Sequence, residues 1–219
     1  MKMLVVFEKS MRLRHIGHLD LMRTMQRALR RSGLPICFSK GFTPHLLLSF
    51  AAPLSVGMWG KREIMEVPVS EEISPEDFKK KLSAALPPDL PCISVKAVPD
   101  EHPAPMSLLK AAAFCAQLED GEKLLSAVPD FMAQEQINAI RKTKSGEKPC
   151  DIRPMIYELR AEGQKLYMVL ALCEQATCKP DLLLQALADF CGLPKPRALI
   201  ERTWLLGEWS GQLVPLENL

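Results

Sequence analysis

The apolar patterns of this chain follow an order of strands and helices that occurs twice. In the first half, short β-branched apolar runs of the strand type alternate with segments of helical spacing. A Ser74-Pro75-Glu76-Asp77 segment has an N-cap residue, a proline at the first helical position and acids behind it, so it predicts the start of a helix. The predicted elements are strands over 2–9, 35–40, 46–54, 62–69 and 92–98 and helices over 18–32 and 74–86.

A similar order recurs after a segment with three prolines and two acids, residues 99–105. The helix over 180–190 begins at a proline and precedes Gly192, which is well placed to end it. The predicted elements of this half are strands over 111–119, 136–143, 152–159, 165–173 and 197–206, helices over 122–132 and 180–190, and a turn over 144–149.

Apart from one additional short strand between the helices of each half, a strand or turn near residues 151–159 in the second, the order is strand, helix, two strands, helix and strand. This is the order of the ferredoxin-like split βαβ unit. The chain is therefore predicted to be α+β, with two tandem ferredoxin-like (βαββαβ) units. The predicted division is an N-terminal domain over 1–98, a linker over 99–108, a C-terminal domain over 109–208 and a tail over 209–219. A single larger α+β sheet is the alternative.

Composition and motifs exclude several classes of protein. The 219 residues are 47% hydrophobic and 25% charged, as in a folded globular protein, and seven scattered cysteines indicate reduced thiols. The sequence has no glycine-rich phosphate loop, dinucleotide fingerprint, nucleophile elbow or pair of cysteines two residues apart. Kinase, dehydrogenase and hydrolase functions are disfavoured, and no cofactor is expected.

The chain is expected to have no export signal and no membrane anchor. The apolar start is too short for a signal peptide before Glu8 and Lys9. The longest uncharged stretch, residues 41–60, is interrupted by Pro44, Pro53 and Gly57 and is predicted to be buried strand and loop. The expected location is the cytoplasm.

Positive charge is concentrated in one segment. Residues 9–62 carry a net charge of +9, with Asp20 as their single acid, whereas the rest of the chain carries −7. Such a block steers a polyanion or an acidic protein face. In the alternative explanation, the positive charges lie on a solvated helix face and are neutralised by the acidic residues of the rest of the chain. The helix over 18–32 places apolar residues on one face and Arg23, Arg27, Arg30 and Arg31 away from it.

A cluster of titratable residues lies at the start of this helix. His15, His18, Asp20 and a more distant His45 have the side chains of a metal site, and His15, His18 and His45 are candidate acids and bases for RNA cleavage. The alternative is that they are helix-capping or surface residues.

Residues 39–45 have the sequence SKGFTPH. They combine a positively charged residue, a flexible glycine, an aromatic ring and a histidine. Lys40, Phe42 and His45 are predicted to contact a phosphate and stack on a nucleic-acid base. In the alternative, Phe42 fills the core at a hairpin-like connection.

The segments HLDLMR at 18–23, RALRR at 27–31 and SKGFTPH at 39–45 resemble the signature of the radical SAM-linked protein family, as does DIRP at 151–154. The chain departs from it at Leu46 and Leu47, where a proline and a basic residue are expected. That family is a domain of unknown function fused to, or encoded beside, radical SAM enzymes. The resemblance implies a radical SAM partner and RNA modification, and without a cysteine triplet this chain would be the accessory part.

Three functions fit these features of the sequence. The first is a non-catalytic module that presents a structured RNA such as tRNA or rRNA to a radical SAM enzyme, holding it with Arg23, Arg27, Arg30, Arg31, Lys40, Phe42 and His45. The second is a small ribonuclease or metal-dependent RNA enzyme. The third is an adaptor whose basic helix docks an acidic protein partner without RNA.

Overall fold

The computed structural model describes residues 1–143 and 146–219, which form two compact units. Unit 1 consists of residues 1–109 and 207–219, and unit 2 consists of residues 110–206. Antiparallel strands and separate helices make up each unit, so the predicted α+β class is confirmed. The domain limits predicted from the sequence stay a prediction.

Unit 1 contains a sheet in the order β4-β1-β3-β2 with antiparallel neighbours. Its elements are β1 (Lys2–Lys9), α1 (His18–Arg31), β2 (Ser49–Phe50), β3 (Trp59–Pro68), α2 (Pro75–Ala85), β4 (Cys92–Val98) and α3 (Pro105–Leu108). The register places Val5 opposite Met65 on one side and opposite Val95 on the other.

The core of unit 1 lies between this sheet and its two long helices. Alternate residues of β1, including Met3 and Phe7, belong to one buried cluster with Met25 and Leu29 of α1 and Phe78 of α2. Because side chains alternate across a strand and repeat every three to four residues along a helix, each element gives one apolar face to this cluster.

Unit 2 contains antiparallel strands paired in the order β10-β5-β9-β8, and a separate hairpin of β6 and β7. Its elements are β5 (Ala111–Leu118), α4 (Glu122–Ser126), α5 (Val128–Met132), β6 (Asn138–Thr143), β7 (Gly146–Asp151), β8 (Ile156–Glu162), β9 (Lys165–Ala171), α6 (Pro180–Phe190) and β10 (Ala198–Trp209). The boundary between the units falls within β10.

The ends of several helices match their predicted signals. Helix α1 ends before Gly33, which adopts a φ of +65°, a backbone conformation that glycine tolerates best. The Ser74 side chain accepts a hydrogen bond from the Asp77 N–H, and Pro75 begins α2. The boundaries of β4 and α6 are those predicted.

The predicted strands over 35–40 and 46–54 are wrong in extent. The first forms only isolated bridges at Ile36 and Phe38, and the second shortens to Ser49–Phe50. Leu46 and Ala51 are nevertheless buried, so the apolar run supplies core side chains without a ladder. Pro53 has no N–H with which to continue the pairing.

The single helix predicted over 122–132 is two short helices, α4 and α5, separated at Ala127. Pro129 accounts for the break because it has no N–H to donate to the carbonyl four residues earlier, that of Leu125 in α4. Similarly, the strand predicted from residue 152 starts at Ile156, after a 3-10 turn that contains Pro154.

The predicted turn over 144–149 is wrong in part, because Gly146–Asp151 is strand β7, paired with β6. Residues 144 and 145 of that predicted turn lie outside the described residues.

The last residues of the chain belong to unit 1. Strand β11 (Gln212–Pro215) pairs with β10, and Leu216 in the following 3-10 turn is buried. The Glu217 carboxylate accepts two hydrogen bonds from the Arg62 guanidinium, at 2.5 and 3.0 Å. This segment is thereby fixed to β3 by an ion pair as well as by apolar packing.

Replacing Leu29, which is 0% exposed on α1, with alanine is expected to lower the free energy of unfolding by about 2–5 kcal/mol, because it leaves a cavity. Leu19 on the same helix is 63% exposed, and Leu19→Ala is expected to change that free energy by less than about 0.5 kcal/mol. Urea denaturation followed by circular dichroism measures both. Equal effects of the two variants would contradict the buried face assigned to α1.

Candidate nucleic-acid interface

Helix α1 exposes four arginines, Arg23, Arg27, Arg30 and Arg31, which we call the arginine row. Residues three and four apart on a helix are neighbours on its surface. The opposite face carries Leu21, Met25, Ala28 and Leu29, all buried. Burial of that apolar face therefore holds the arginine row toward solvent.

The members of the arginine row differ in their contacts. The Arg23 guanidinium lies 3.0 Å from the Asp20 carboxylate one turn earlier, and both side chains are 64% exposed. The Arg31 guanidinium donates to the Ala85 carbonyl at the end of α2, at 2.8 Å. The Arg30 guanidinium lies 5.9 Å from the centroid of the Phe38 ring, within cation–π distance.

Carboxylates neutralise little of this charge. Within residues 1–143 and 146–219, Asp20 is the one carboxylate that forms a salt bridge with the arginine row. An exposed ion pair of this kind contributes about 0–1 kcal/mol, so an incoming anion displaces it at small cost. Arg27, Arg30 and Arg31 keep their charge available at the surface.

Residues 39–45, which we call the aromatic loop, form a closed hairpin-like turn. The Ser39 N–H donates to the His45 carbonyl at 2.8 Å, and the His45 N–H donates to the Ser39 hydroxyl oxygen at 3.0 Å. The same hydroxyl lies 2.7 Å from His45 Nδ1. Below this closure the Leu47 N–H donates to the Cys37 carbonyl, and the Cys37 N–H donates to the Pro68 carbonyl of β3, each at 3.0 Å.

The tip of the aromatic loop projects its ring into solvent. Phe42 is fully exposed, so the alternative in which this ring fills the core is wrong. Gly41 before it has a φ of +126°, which a residue with a side chain adopts only under strain. Lys40 is exposed as well, so a cation and an aromatic face occupy the same turn.

The Arg30–Phe38 contact connects the arginine row to the aromatic loop. Phe38 directly precedes the loop and bridges to Leu46 directly after it. The contact therefore places the C-terminal end of the row beside the base of the loop. The sequence predicts Phe38 only as part of the strand over 35–40. Its position shortly after the basic helix is the only sequence feature that indicates a contact with the arginines.

The members of the predicted histidine cluster contact different partners. The His18 ring packs edge-on against Phe50, with centroids 5.3 Å apart, and His45 is held by Ser39. Asp20 pairs with Arg23, and His15 is exposed. In the described part of the chain, no group of three or more His, Cys, Asp or Glu residues is arranged to hold a metal ion. The metal and acid–base roles of these residues stay predictions.

Lys9 is a positioning residue that sequence reasoning did not identify. Its ammonium group, almost fully buried at the end of β1, donates to the carbonyls of Ile16 at 2.9 Å and Met58 at 3.2 Å. These bonds fix the segment that leads into α1. A lysine at a strand end normally indicates a solvated side chain, so the pattern gave no signal for this role.

No helix in the described residues is long and apolar enough to cross a membrane.

The comparison with known families places this α+β chain with its exposed basic helix in a defined group. The model of the family described as "Uncharacterized protein conserved in bacteria (DUF2344)" matches residues 2–180, and the chain belongs to that family. The matched part includes α1 and the aromatic loop. The expectation of a family of unknown function is confirmed. The description of the family does not mention a radical SAM enzyme. No curated protein matches the chain.

All seven cysteines are free thiols, and burial makes two of them poor nucleophiles. Burial raises the pKa of Cys92 to about 11 and that of Cys178 to about 12, from an ordinary value of 9.0. Burial also raises the pKa of Cys115. Because the thiolate is the reactive form, these groups are suited to packing and not to covalent catalysis.

The two buried thiols are expected to resist alkylation. At pH 8, iodoacetamide should modify Cys92 and Cys178 at least ~100-fold more slowly in the folded chain than in urea, since raised pKa values deplete the thiolate. Mass spectrometry of timed samples measures both rates. As the pH rises, Cys92 and Cys178 lose their protons in the unfolded chain before they do so in the folded chain. The free energy of unfolding should therefore fall as the pH rises from about 9 to about 11. Equal labelling rates in the two states would disprove the assignment.

Proposed function

We propose that this protein is a non-catalytic RNA-binding module, with the arginine row and the aromatic loop as its interface. The observation that supports it most directly is the exposed row of four arginines beside an exposed aromatic turn, with one carboxylate pairing to the row among the described residues. Arginine forks bind phosphate and an exposed ring stacks on a base, so the two features together suit RNA.

The distribution of charge supports the same proposal. Residues 9–62 carry +9 in a chain whose total is +2, and this segment contains both parts of the interface. A field of one sign attracts the phosphate backbone from a distance and speeds association. Arg31 has the additional role of bonding to the end of α2, so Arg27 and Arg30 are the cleaner phosphate ligands.

A radical SAM enzyme is the proposed partner, and a structured RNA such as tRNA or rRNA the proposed ligand. Both come from the resemblance of residues 18–45 and 151–154 to the radical SAM-linked family. The chain would bind the RNA in the cytoplasm and present it, while the partner supplies the radical chemistry. An adaptor that binds an acidic protein through the same arginines is the competing hypothesis.

We also propose that each unit is a ferredoxin-like domain. The order β4-β1-β3-β2 in unit 1 supports this, as does the order β10-β5-β9-β8 in unit 2. In unit 1, β1 lies between β4 and β3, and in unit 2, β5 lies between β10 and β9, as the split βαβ topology requires. The β6–β7 hairpin would then be an insertion between the helical segment of unit 2 and β8.

The RNA-binding proposal predicts a strong salt dependence. A tRNA transcript titrated with the full chain should bind more weakly by about tenfold or more between about 50 and 200 mM KCl, because phosphate contacts release counterions. In the double variant Arg27→Gln/Arg30→Gln, the plot of log binding constant against log salt concentration should become shallower. Its slope should decrease in magnitude by about 1.4 to 1.8, as for two lost phosphate contacts. Fluorescence anisotropy measures both.

The matched control is Lys80→Gln/Lys81→Gln, which removes two exposed positive charges from α2 instead of α1. Its salt slope should stay close to that of the native chain. Absence of binding at both salt concentrations, or equal slopes for the two double variants, would reject the interface. Absence of RNA binding combined with salt-sensitive binding to a purified radical SAM enzyme would favour the adaptor.

A further inference from the structure

We infer that the interface selects RNA that offers an unpaired base, which stacks on Phe42. This inference rests on the proposed function and specifies its substrate class: bulged, looped or single-stranded RNA in preference to a continuous duplex. The ring is fully exposed at the tip of the aromatic loop, where it has a whole face available.

The loop holds this ring in place before any ligand arrives. One backbone–backbone and one backbone–side-chain hydrogen bond join Ser39 to His45, and Gly41 supplies the positive φ that turns the chain toward Phe42. The base of the loop is anchored to β3 through Cys37 and Pro68. An aromatic side chain has few rotatable bonds, so a fixed loop presents it with little entropy left to lose on stacking.

Geometry favours an unpaired base as the partner of such a ring. Within a continuous A-form duplex, every base face is covered by its neighbours, and the deep major groove excludes side chains. In bulges, loops and single strands the faces are accessible, and aromatic rings stack on them. A ring that stands clear of the surface therefore finds its partner where the RNA is unpaired.

The cations around the loop match the phosphates that flank such a base. Lys40 lies two residues before Phe42, and Arg30 is held at the base of the loop by the Phe38 ring, 5.9 Å away. The next arginine along the row, Arg27, lies about one helical turn further, at ~5 Å. Arg27 and Arg30 are exposed neighbours on one face of α1, so the row is placed to contact the backbone that leaves the stacked base.

Ser39 is a positioning residue in this arrangement. Its hydroxyl oxygen accepts from the His45 N–H at 3.0 Å and lies 2.7 Å from Nδ1. When the hydroxyl donates its own proton to Nδ1, the neutral ring carries its proton on Nε2 and presents a donor there. A donor in the same loop as the stacking ring can bind a base edge or a ribose 2′-hydroxyl.

The experiment compares two RNA duplexes with the same base-paired sequence, one of which carries a bulge of three additional unpaired nucleotides in one strand. Anisotropy titrations at one salt concentration should give a preference for the bulged RNA of ~5-fold or more, the range expected for one stacked base. Phe42→Ala should weaken binding of the bulged RNA by ~5-fold or more and of the duplex by much less, so that the preference is lost, whereas Phe42→Trp should keep the preference. Thr43→Ala, at an exposed neighbour in the same loop, is the matched control.

Ser39→Ala should reduce the preference for the bulged RNA while the circular dichroism spectrum stays the same, and Ser39→Thr should retain the preference. A fluorescent base analogue in the bulge should be quenched by the native chain and not by Phe42→Ala.

The outcomes separate the two proposals. Equal affinity for both RNAs, or a preference that survives Phe42→Ala, would overturn the unpaired-base inference and leave RNA binding by the arginine row intact. Failure to bind either RNA would instead overturn the proposed function, and the inference with it.

Discussion

Burial of one face of α1 is the constraint on which the candidate interface depends. Met25, Ala28 and Leu29 join the core of unit 1, and this packing leaves the arginines no alternative but solvent. Apolar burial of this kind contributes several kcal/mol, whereas four neighbouring guanidinium groups repel one another. The sheet and α2 therefore stabilise a concentration of charge that an isolated helix would disfavour.

The second half of the interface has a different origin. The aromatic loop is held by hydrogen bonds between Ser39 and His45, and its ring gains nothing from the core. The proposed function gives this exposed ring a role, because stacking on a base would remove it from water. The Arg30–Phe38 contact joins this loop to the helix, so the two halves lie at one place although different interactions form them.

Local signals made much of this predictable. The amphipathic spacing and Gly33 defined α1 and its exposed arginines, and capping residues defined α2. Strand extents near residues 35–54 were not predictable, because an apolar run reports burial and not hydrogen-bond partners. The position of Phe42 depended on long-range anchoring of its loop to β3. The buried Lys9 and the Arg30–Phe38 contact are tertiary pairings for which one sequence carries no periodic signal.

The C-terminal segment has a consequence for synthesis. Leu216 and Glu217 complete unit 1, whereas the residues of unit 2 come between them and the rest of that unit along the chain. On the ribosome, the N-terminal part is made first but lacks these groups until all of unit 2 has been made. Unit 2, which is continuous in sequence, has all its residues earlier and is free to fold while unit 1 waits for its last strand.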